Sequence, residues 1–208
     1  MGNSLIPSRE FKIRSTTPNI KVEYFRDEEI EEMKKWIGFQ GSRSYRTYQR
    51  FRWDDRAKYL LLLVFLLRTG GRISEVLELR VRDVDLEKNV IRIRTLKKKK
   101  ETFRKIPVHP ELRDAFQNYL YRVHPKPKDE MFPMSRVAVF EFFKRMEKDL
   151  GFEIYPHKFR HTFGVKAAFA GVPLNDLQGW LGHSSIWTTS IYTEATGRDT
   201  QEQMNRIK

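Results

Sequence analysis

The chain has 208 residues, of which 39% are hydrophobic, so it carries enough apolar material for one domain with its own core. Its 40 Lys and Arg residues against 27 Asp and Glu give a formal charge of +13. Such a surplus indicates a polyanionic partner, since cations that neutralise phosphates release counterions, and is compatible with the surface ion-pair networks of a thermostable protein. The sequence has no cysteine, which excludes disulfides, thiolate zinc sites and cysteine nucleophiles.

The first part of the chain predicts an arm, a helix, a loop and a buried helix. Residues 1–21 show no periodicity and predict a flexible arm. An acidic first turn and helically spaced apolar residues predict a helix from Asp27, and a polar, basic loop follows at 41–52. The run LLLLVFLL is apolar on all sides, so residues 54–68 are predicted to form the central helix. Thr69–Gly71 ends it.

The remainder predicts one small sheet among further helices. Residues 73–79 form a short helix, and strands at 84–95 and 103–108 form a β-hairpin with lysines at its tip. The fold class is therefore mostly α with a small antiparallel β-sheet, an α+β domain. The later predicted elements are helices at 110–123, 135–150, 156–170 and 173–181, a short segment at 188–192 and a polar tail.

No apolar run is long enough to cross a membrane, the longest being Tyr59 to Leu67, and the N-terminus shows no signal-peptide pattern. We therefore expect a soluble protein of the cytoplasm.

Three segments carry side chains suited to phosphate chemistry. Arg72 follows two glycines, which let the backbone approach a ligand closely, and its guanidinium can donate two hydrogen bonds to phosphate oxygens. Taken alone, however, an arginine in a tight turn is more often an ordinary surface residue. His157 and Arg160 lie three residues apart on one helix face, which places a proton-transfer group beside an anion site. Gly182 allows a left-handed turn that would direct His183 sideways.

A metal site is not favoured by the sequence. His157 and His161 have the spacing of a zinc pair, but the glutamate of the zinc-protease motif is absent and Lys158 and Arg160 stand between them. We therefore interpret His161 as a hydrogen-bonded structural histidine. Tyr192 follows among threonines and is one of eight tyrosines, so periodicity does not distinguish it.

The segments TGGRISEVLELRVRDVD, HKFRHTFGVKAAFAGVPLNDLQGWLGHSS and TTSIYTEA resemble the tyrosine recombinase, or phage integrase, family. The resemblance covers residues 22–196, the catalytic domain of that family. It implies an enzyme that cuts and rejoins double-stranded DNA at specific sites through a covalent 3′-phosphotyrosine, without metal or other cofactor. It also implies self-association on DNA as a dimer or tetramer, and we expect residues 197–208 to exchange between protomers.

The resemblance assigns a role to each matching residue. Arg72 and Arg160 would clamp the non-bridging oxygens of the scissile phosphate. His157 would accept or relay the proton of the nucleophile Tyr192, and His183 would hydrogen-bond the phosphate.

A hairpin lysine would protonate the leaving 5′ oxygen. The sequence offers Lys97 to Lys100, and counting from Arg72 and back from Pro107 favours Lys97, with Lys98 next.

Two departures from the family pattern affect expectations. Gly71 stands where a larger apolar residue is usual, from which we expect a local packing effect. Most members also carry an N-terminal DNA-clamping domain, whereas only about 21 residues precede the match here. Whether this is a shortened or a naturally minimal recombinase, we expect weaker and more salt-sensitive DNA binding, partly compensated by the arm and the loop at 41–52.

Two alternatives share the DNA partner. A catalytically silent accessory module would bind without cutting, but the complete residue set argues against such decay. A type IB topoisomerase would use the same chemistry to relax DNA.

Overall fold

A computed structural model describes residues 22–39, 53–95, 102–185 and 187–194. The predicted arm, the loop at 41–52, the lysines at the hairpin tip and the tail at 197–208 lie outside these ranges. Within them the chain forms helices around a three-stranded antiparallel sheet in the order β1-β2-β3. The elements are α1 (Asp27–Phe39), α2 (Trp53–Thr69), α3 (Ile73–Leu77), β1 (Val84–Asp85), β2 (Val90–Arg94), β3 (Phe103–Pro107), α4 (Pro110–Val123), α5 (Arg136–Leu150), α6 (Pro156–Phe169), α7 (Leu174–Leu181) and α8 (Trp187–Glu194). The mostly α fold with a small antiparallel sheet is thereby confirmed.

Helix α2 is the centre of the main core, as its sequence predicted. Every residue from Leu61 to Leu67 is at most 2% exposed. The helix contacts α1, α4 and α6, and no exposed face remains along this stretch. A helix that is apolar all round is stable only when other elements cover it, which makes α2 the scaffold for the rest of the domain.

The prediction of one strand over 84–95 was wrong, because a turn interrupts it. The Asp85 carboxylate accepts a hydrogen bond from the Lys88 backbone N–H at 2.9 Å, and Asn89 adopts a left-handed φ of 53°. Asparagine and aspartate favour such turns because their side chains bond the nearby backbone. The chain therefore reverses, and the 84–85 segment pairs with 90–91 as a third strand.

The β2–β3 pair is the predicted hairpin. The two strands are antiparallel, with Val90 paired to Pro107 at one end and Arg94 to Phe103 at the other. Along both strands buried and exposed side chains alternate, so that Ile91, Ile93 and Ile106 face the core.

Three predicted helix ends are confirmed by their geometry. Ser135 caps α5 by accepting a hydrogen bond from the Ala138 N–H at 3.1 Å. Gly151 ends α5 at φ 78°, and Gly182 ends α7 at φ 66°, conformations that glycine adopts without steric cost. The turn after α7 is therefore set by local sequence.

A second, smaller cluster joins α6, α7 and α8. It contains Val165, Leu177, Leu181 and Tyr192, each at most 1% exposed. Gly164 on α6 makes the approach of α8 possible, because a Cβ there would lie 2.6 Å from ring carbons of Tyr192. This close contact places the predicted segment 188–192, which is helical, directly against α6.

Among the described residues, no helix combines the length and apolar character needed to cross a bilayer.

We predict that Gly164→Ala displaces or loosens α8. The added methyl would overpack the Tyr192 ring, a cost of about 1–3 kcal/mol that exceeds the ~1 kcal/mol helix-propensity gain of alanine. Gly179 on α7 provides a matched control, because a Cβ there meets nothing within 4 Å. Gly179→Ala should therefore raise the urea midpoint while Gly164→Ala lowers it. Equal stabilisation by both substitutions would contradict the packing of α8 on α6.

Candidate active site

Arg160 is the most buried cation of the site, at 2% exposure on α6. Its Nη1 donates to the Gly70 carbonyl at 2.8 Å and its Nη2 to the Leu181 carbonyl at 2.7 Å. Burial and then the charge of Arg72 lower the pKa of Arg160 to about 10, so it stays cationic at neutral pH. A guanidinium carries five N–H donors, so three remain for a ligand.

Arg72 is held at the start of α3 by Glu75. The Glu75 carboxylate accepts from the Arg72 backbone N–H at 3.0 Å and from Arg72 Nη1 at 2.9 Å. This glutamate at the third helical position bonds back to the residue that precedes the helix, as in a capping box. The arginine side chain is 29% exposed and therefore accessible to a ligand.

Both arginines line one cavity of about 380 Å³. His157 shares it, so the structure brings together these three predicted site residues. The wall also includes Ser74 and, from the start of α5, Arg136 and Phe140. Reduced hydration and the charges of Arg160 and Arg72 lower the pKa of His157, so the neutral imidazole is favoured there. The cavity is thus cationic and suited to an anion.

His183 and Tyr192 lie together but do not line that cavity. His183 Nδ1 is 2.8 Å from the Thr189 hydroxyl on α8, and its ring is stacked on Tyr192 with 6.5 Å between centroids. Burial, then the charges of Arg160 and Arg72, lower the pKa of His183 to about 3. Tyr192 is 1% exposed, and burial raises its pKa to about 12 although Arg160 opposes this. The tyrosine is therefore protonated and enclosed.

His161 makes a contact that the sequence did not specify. It was interpreted as a hydrogen-bonded structural histidine, and its Nδ1 lies 3.0 Å from the Tyr192 hydroxyl. The expected acceptor, His157, instead contacts the His161 ring edge-on at 4.4 Å between centroids. Helical spacing is the sequence signal for this contact, because His161 and Gly164 lie three residues apart on one face of α6 and both contact Tyr192.

The sequence did not favour a zinc pair at His157 and His161, and in the structure His161 Nδ1 lies against the phenol. Among the described residues, no three His, Cys, Asp or Glu side chains converge as metal ligands.

Two other expectations concern the neighbourhood of the site. Lys97 and the alternatives up to Lys100 lie outside the described residues. At Gly71 a Cβ would lie 2.8 Å from a methyl of Val76, so the glycine fits the close packing of α3.

Comparison with known proteins matches this sequence to a known family. The Phage integrase family matches residues 46–198, most of the chain. A tyrosine recombinase XerA of Saccharolobus solfataricus is 36% identical over 138 residues, which is 66% of this chain and 46% of the relative. The XerA of Pyrococcus furiosus is 29% identical over 163 residues, 73% of this chain and 55% of the relative. The chain spans about half the length of these relatives.

A solved structure supports the fold. The catalytic domain of bacteriophage HP1 integrase superposes with a TM-score of 0.64 at 21% identity, covering 89% of this chain and 95% of that one. The family match over residues 46–198 includes every predicted site residue from Arg72 to Tyr192. The chain therefore belongs to the phage integrase family, whose members are tyrosine recombinases.

Proposed function

We propose that this protein is a site-specific DNA recombinase that cuts and rejoins strands through a covalent bond between Tyr192 and a 3′ phosphate. One observation carries the proposal: Arg72, His157 and Arg160 line a single cavity, and Tyr192 contacts His183 and His161, whose ring meets His157 of the cavity wall. Double-stranded DNA is the partner, consistent with the charge of +13 and with relatives named as tyrosine recombinases.

The two arginines would stabilise the transition state. When the tyrosine oxygen attacks phosphorus, the pentacoordinate phosphate gains negative charge. Guanidinium groups already fixed by Glu75 and by the Gly70 and Leu181 carbonyls need little reorganisation to meet it. His183 would add a hydrogen bond to the same phosphate, and Lys97 would protonate the leaving 5′ oxygen.

Two histidines would handle the tyrosine proton. His161 is in hydrogen-bond contact with the phenol, and His157 follows at van der Waals distance on the side of the cavity. A neutral imidazole can accept the phenol proton. For His157 to relay it, the two rings must turn from their edge-on contact until a nitrogen of each lies within hydrogen-bond distance. Because the resting hydroxyl is enclosed, attack also requires that α8 shift Tyr192 toward the cavity.

Two alternatives predict different products. An accessory module would bind DNA and form no adduct, whereas a type IB relaxing enzyme would remove supercoils from a plasmid without sequence preference. A recombinase forms an adduct at a defined sequence. The next assay separates all three.

We predict a covalent adduct that depends on Tyr192. The protein would be incubated with a pool of nicked duplexes whose central segment is randomised, because a nick lets the cleaved strand dissociate and traps the intermediate. Denaturing gels should show protein linked to DNA for the wild type and none for Tyr192→Phe. Tyr121→Phe is the matched control, because Tyr121 is 77% exposed on α4. Sequencing the trapped DNA gives the target, and the absence of any adduct would favour the accessory module.

Chelation should leave cleavage unchanged. We propose that the arginines supply the charge stabilisation that a divalent ion provides in other phosphoryl-transfer enzymes. The trapped adduct should form at the same rate with excess EDTA as without it. Loss of cleavage that returns on addition of magnesium would refute this mechanism.

Acid should destabilise the fold partly through His161. Burial, and then the charges of His157 and Arg160, lower its pKa to about 4, while Glu23 opposes the shift. An unfolded histidine titrates near ~6.5, so below that pH the unfolded chain binds more protons. The contribution of His161 is therefore complete above about pH 6.5 and is lost as the pH falls toward 4.

His161→Gln should reduce this pH dependence, measured as the urea midpoint between neutral and acidic pH. Tyr192→Phe removes the same hydrogen bond but keeps the imidazole, so its slope should match the wild type. Identical slopes for all three proteins would show that His161 does not titrate as described.

A further inference from the structure

Arg104 is a buried cation on the core-facing side of β3. The strand alternates between exposed Phe103 and Lys105 and buried Arg104 and Ile106. The side chain of Arg104 is only 8% exposed. Removing a charge from water is costly unless it is paired and hydrogen-bonded, so its partners indicate its role.

Its first partner is the carboxylate that holds Arg72. Arg104 Nη2 donates to Glu75 Oε2 at 2.7 Å, while Glu75 Oε1 accepts from Arg72 at 2.9 Å. Burial alone would raise the pKa of Glu75, but the hydrogen bond and charge of Arg104, together with Arg72, lower it below its ordinary range. Glu75 therefore stays ionised between two arginines.

Its second partner is the end of α7. Arg104 Nε donates to the Trp180 carbonyl at 2.8 Å, one residue before the Leu181 carbonyl that Arg160 binds. The last carbonyls of a helix lack partners within the helix and carry partial negative charge. Two buried guanidiniums thus hold the turn at Gly182 that leads into His183.

The glycine in that turn leaves room for the Arg104 side chain. A Cβ at Gly182 would lie 3.2 Å from Arg104 Cδ and 3.3 Å from its Nη1. Because Gly182 has no side chain, the Arg104 side chain has room to reach from β3 to the end of α7. One side chain consequently links the sheet, α3 and α7.

We propose that Arg104 is a positioning residue that holds Arg72 and His183 in register for a single phosphate, acting through Glu75 and the Trp180 carbonyl. The inference rests on the proposed function. Arg104 itself touches neither the phosphate nor the tyrosine in this argument. Without Arg104, the Glu75 carboxylate that holds Arg72 would be less constrained. The turn before His183 would also lose one of the hydrogen bonds that fix it.

The test measures adduct formation by Arg104→Met on the duplex recovered from the randomised pool. At saturating DNA the cleavage rate should fall about a hundredfold, the loss expected when reacting groups are misplaced by about 1 Å. DNA binding should change little. Arg113→Met is the matched control, because Arg113 also bridges two elements, bonding the Leu86 carbonyl and Asn89, outside the site.

Two further measurements separate positioning from loss of stability. Without Arg104 the pKa of Glu75 rises, so the fall of the cleavage rate at acidic pH, the acid limb of its pH profile, should begin at higher pH. Arg104→Lys keeps a cation and should therefore restore the position of the acid limb and part of the rate. In a Glu75→Gln background, Arg104→Met should cost less than in the wild type, because the ion pair with Glu75 is already lost and only the bond to the Trp180 carbonyl remains to be removed.

An unchanged rate in Arg104→Met would overturn the inference, as would a loss that merely follows the fraction of folded protein. The inference would also be overturned if the fold-loss of cleavage rate in the double variant equalled the product of the fold-losses in the two single variants. If Arg104→Met does not fold, Arg104→Lys carries the test: its cleavage rate should fall below that of the wild type while its DNA binding and acid limb stay unchanged, and an unchanged rate would overturn the inference. Failure of the wild type to form any adduct would instead refute the proposed function itself.

Discussion

The site depends on the two hydrogen bonds that Arg160 donates to the Gly70 and Leu181 carbonyls. Gly70 lies where α2 gives way to α3, and Leu181 ends α7, so one guanidinium joins segments that are about a hundred residues apart in the chain. Burying a charge is costly, and these two hydrogen bonds offset part of that cost. Arg160 also lines the cavity that Arg72 and His157 share.

Charge balance around this cation explains much of the surrounding chemistry. Glu75 supplies one buried negative charge for Arg72 and Arg104, while Arg160 has neutral carbonyl partners. The cluster therefore keeps an excess of positive charge that an incoming phosphate would neutralise. The same charges, after burial, lower the pKa of His183. Cationic surroundings thus favour both a bound anion and imidazoles that are neutral at rest.

Local sequence signals and long-range contacts contributed differently to this result. The left-handed turn at Gly182 and the cap at Ser135 were predictable because each depends on neighbouring residues alone. The strand at 84–95 was misjudged because its apolar alternation hid the turn at Asn89. Arg104 was not singled out, although it shares the inward side of its strand with Ile106, which is a detectable signal for a charge at a core position.

By itself the sequence predicted the helical fold with its small sheet from periodicity, and the family from ordered motifs. The resemblance to that family then proposed Arg72, His157, Arg160, His183 and Tyr192 as site residues. Only the tertiary structure decided which histidine meets the tyrosine hydroxyl, that the tyrosine rests buried against Gly164, and that Arg104 reaches both Glu75 and α7. The physical reason is that motifs record which groups the chemistry needs, whereas hydrogen bonds between distant segments arise only when packing brings those segments within about 3 Å.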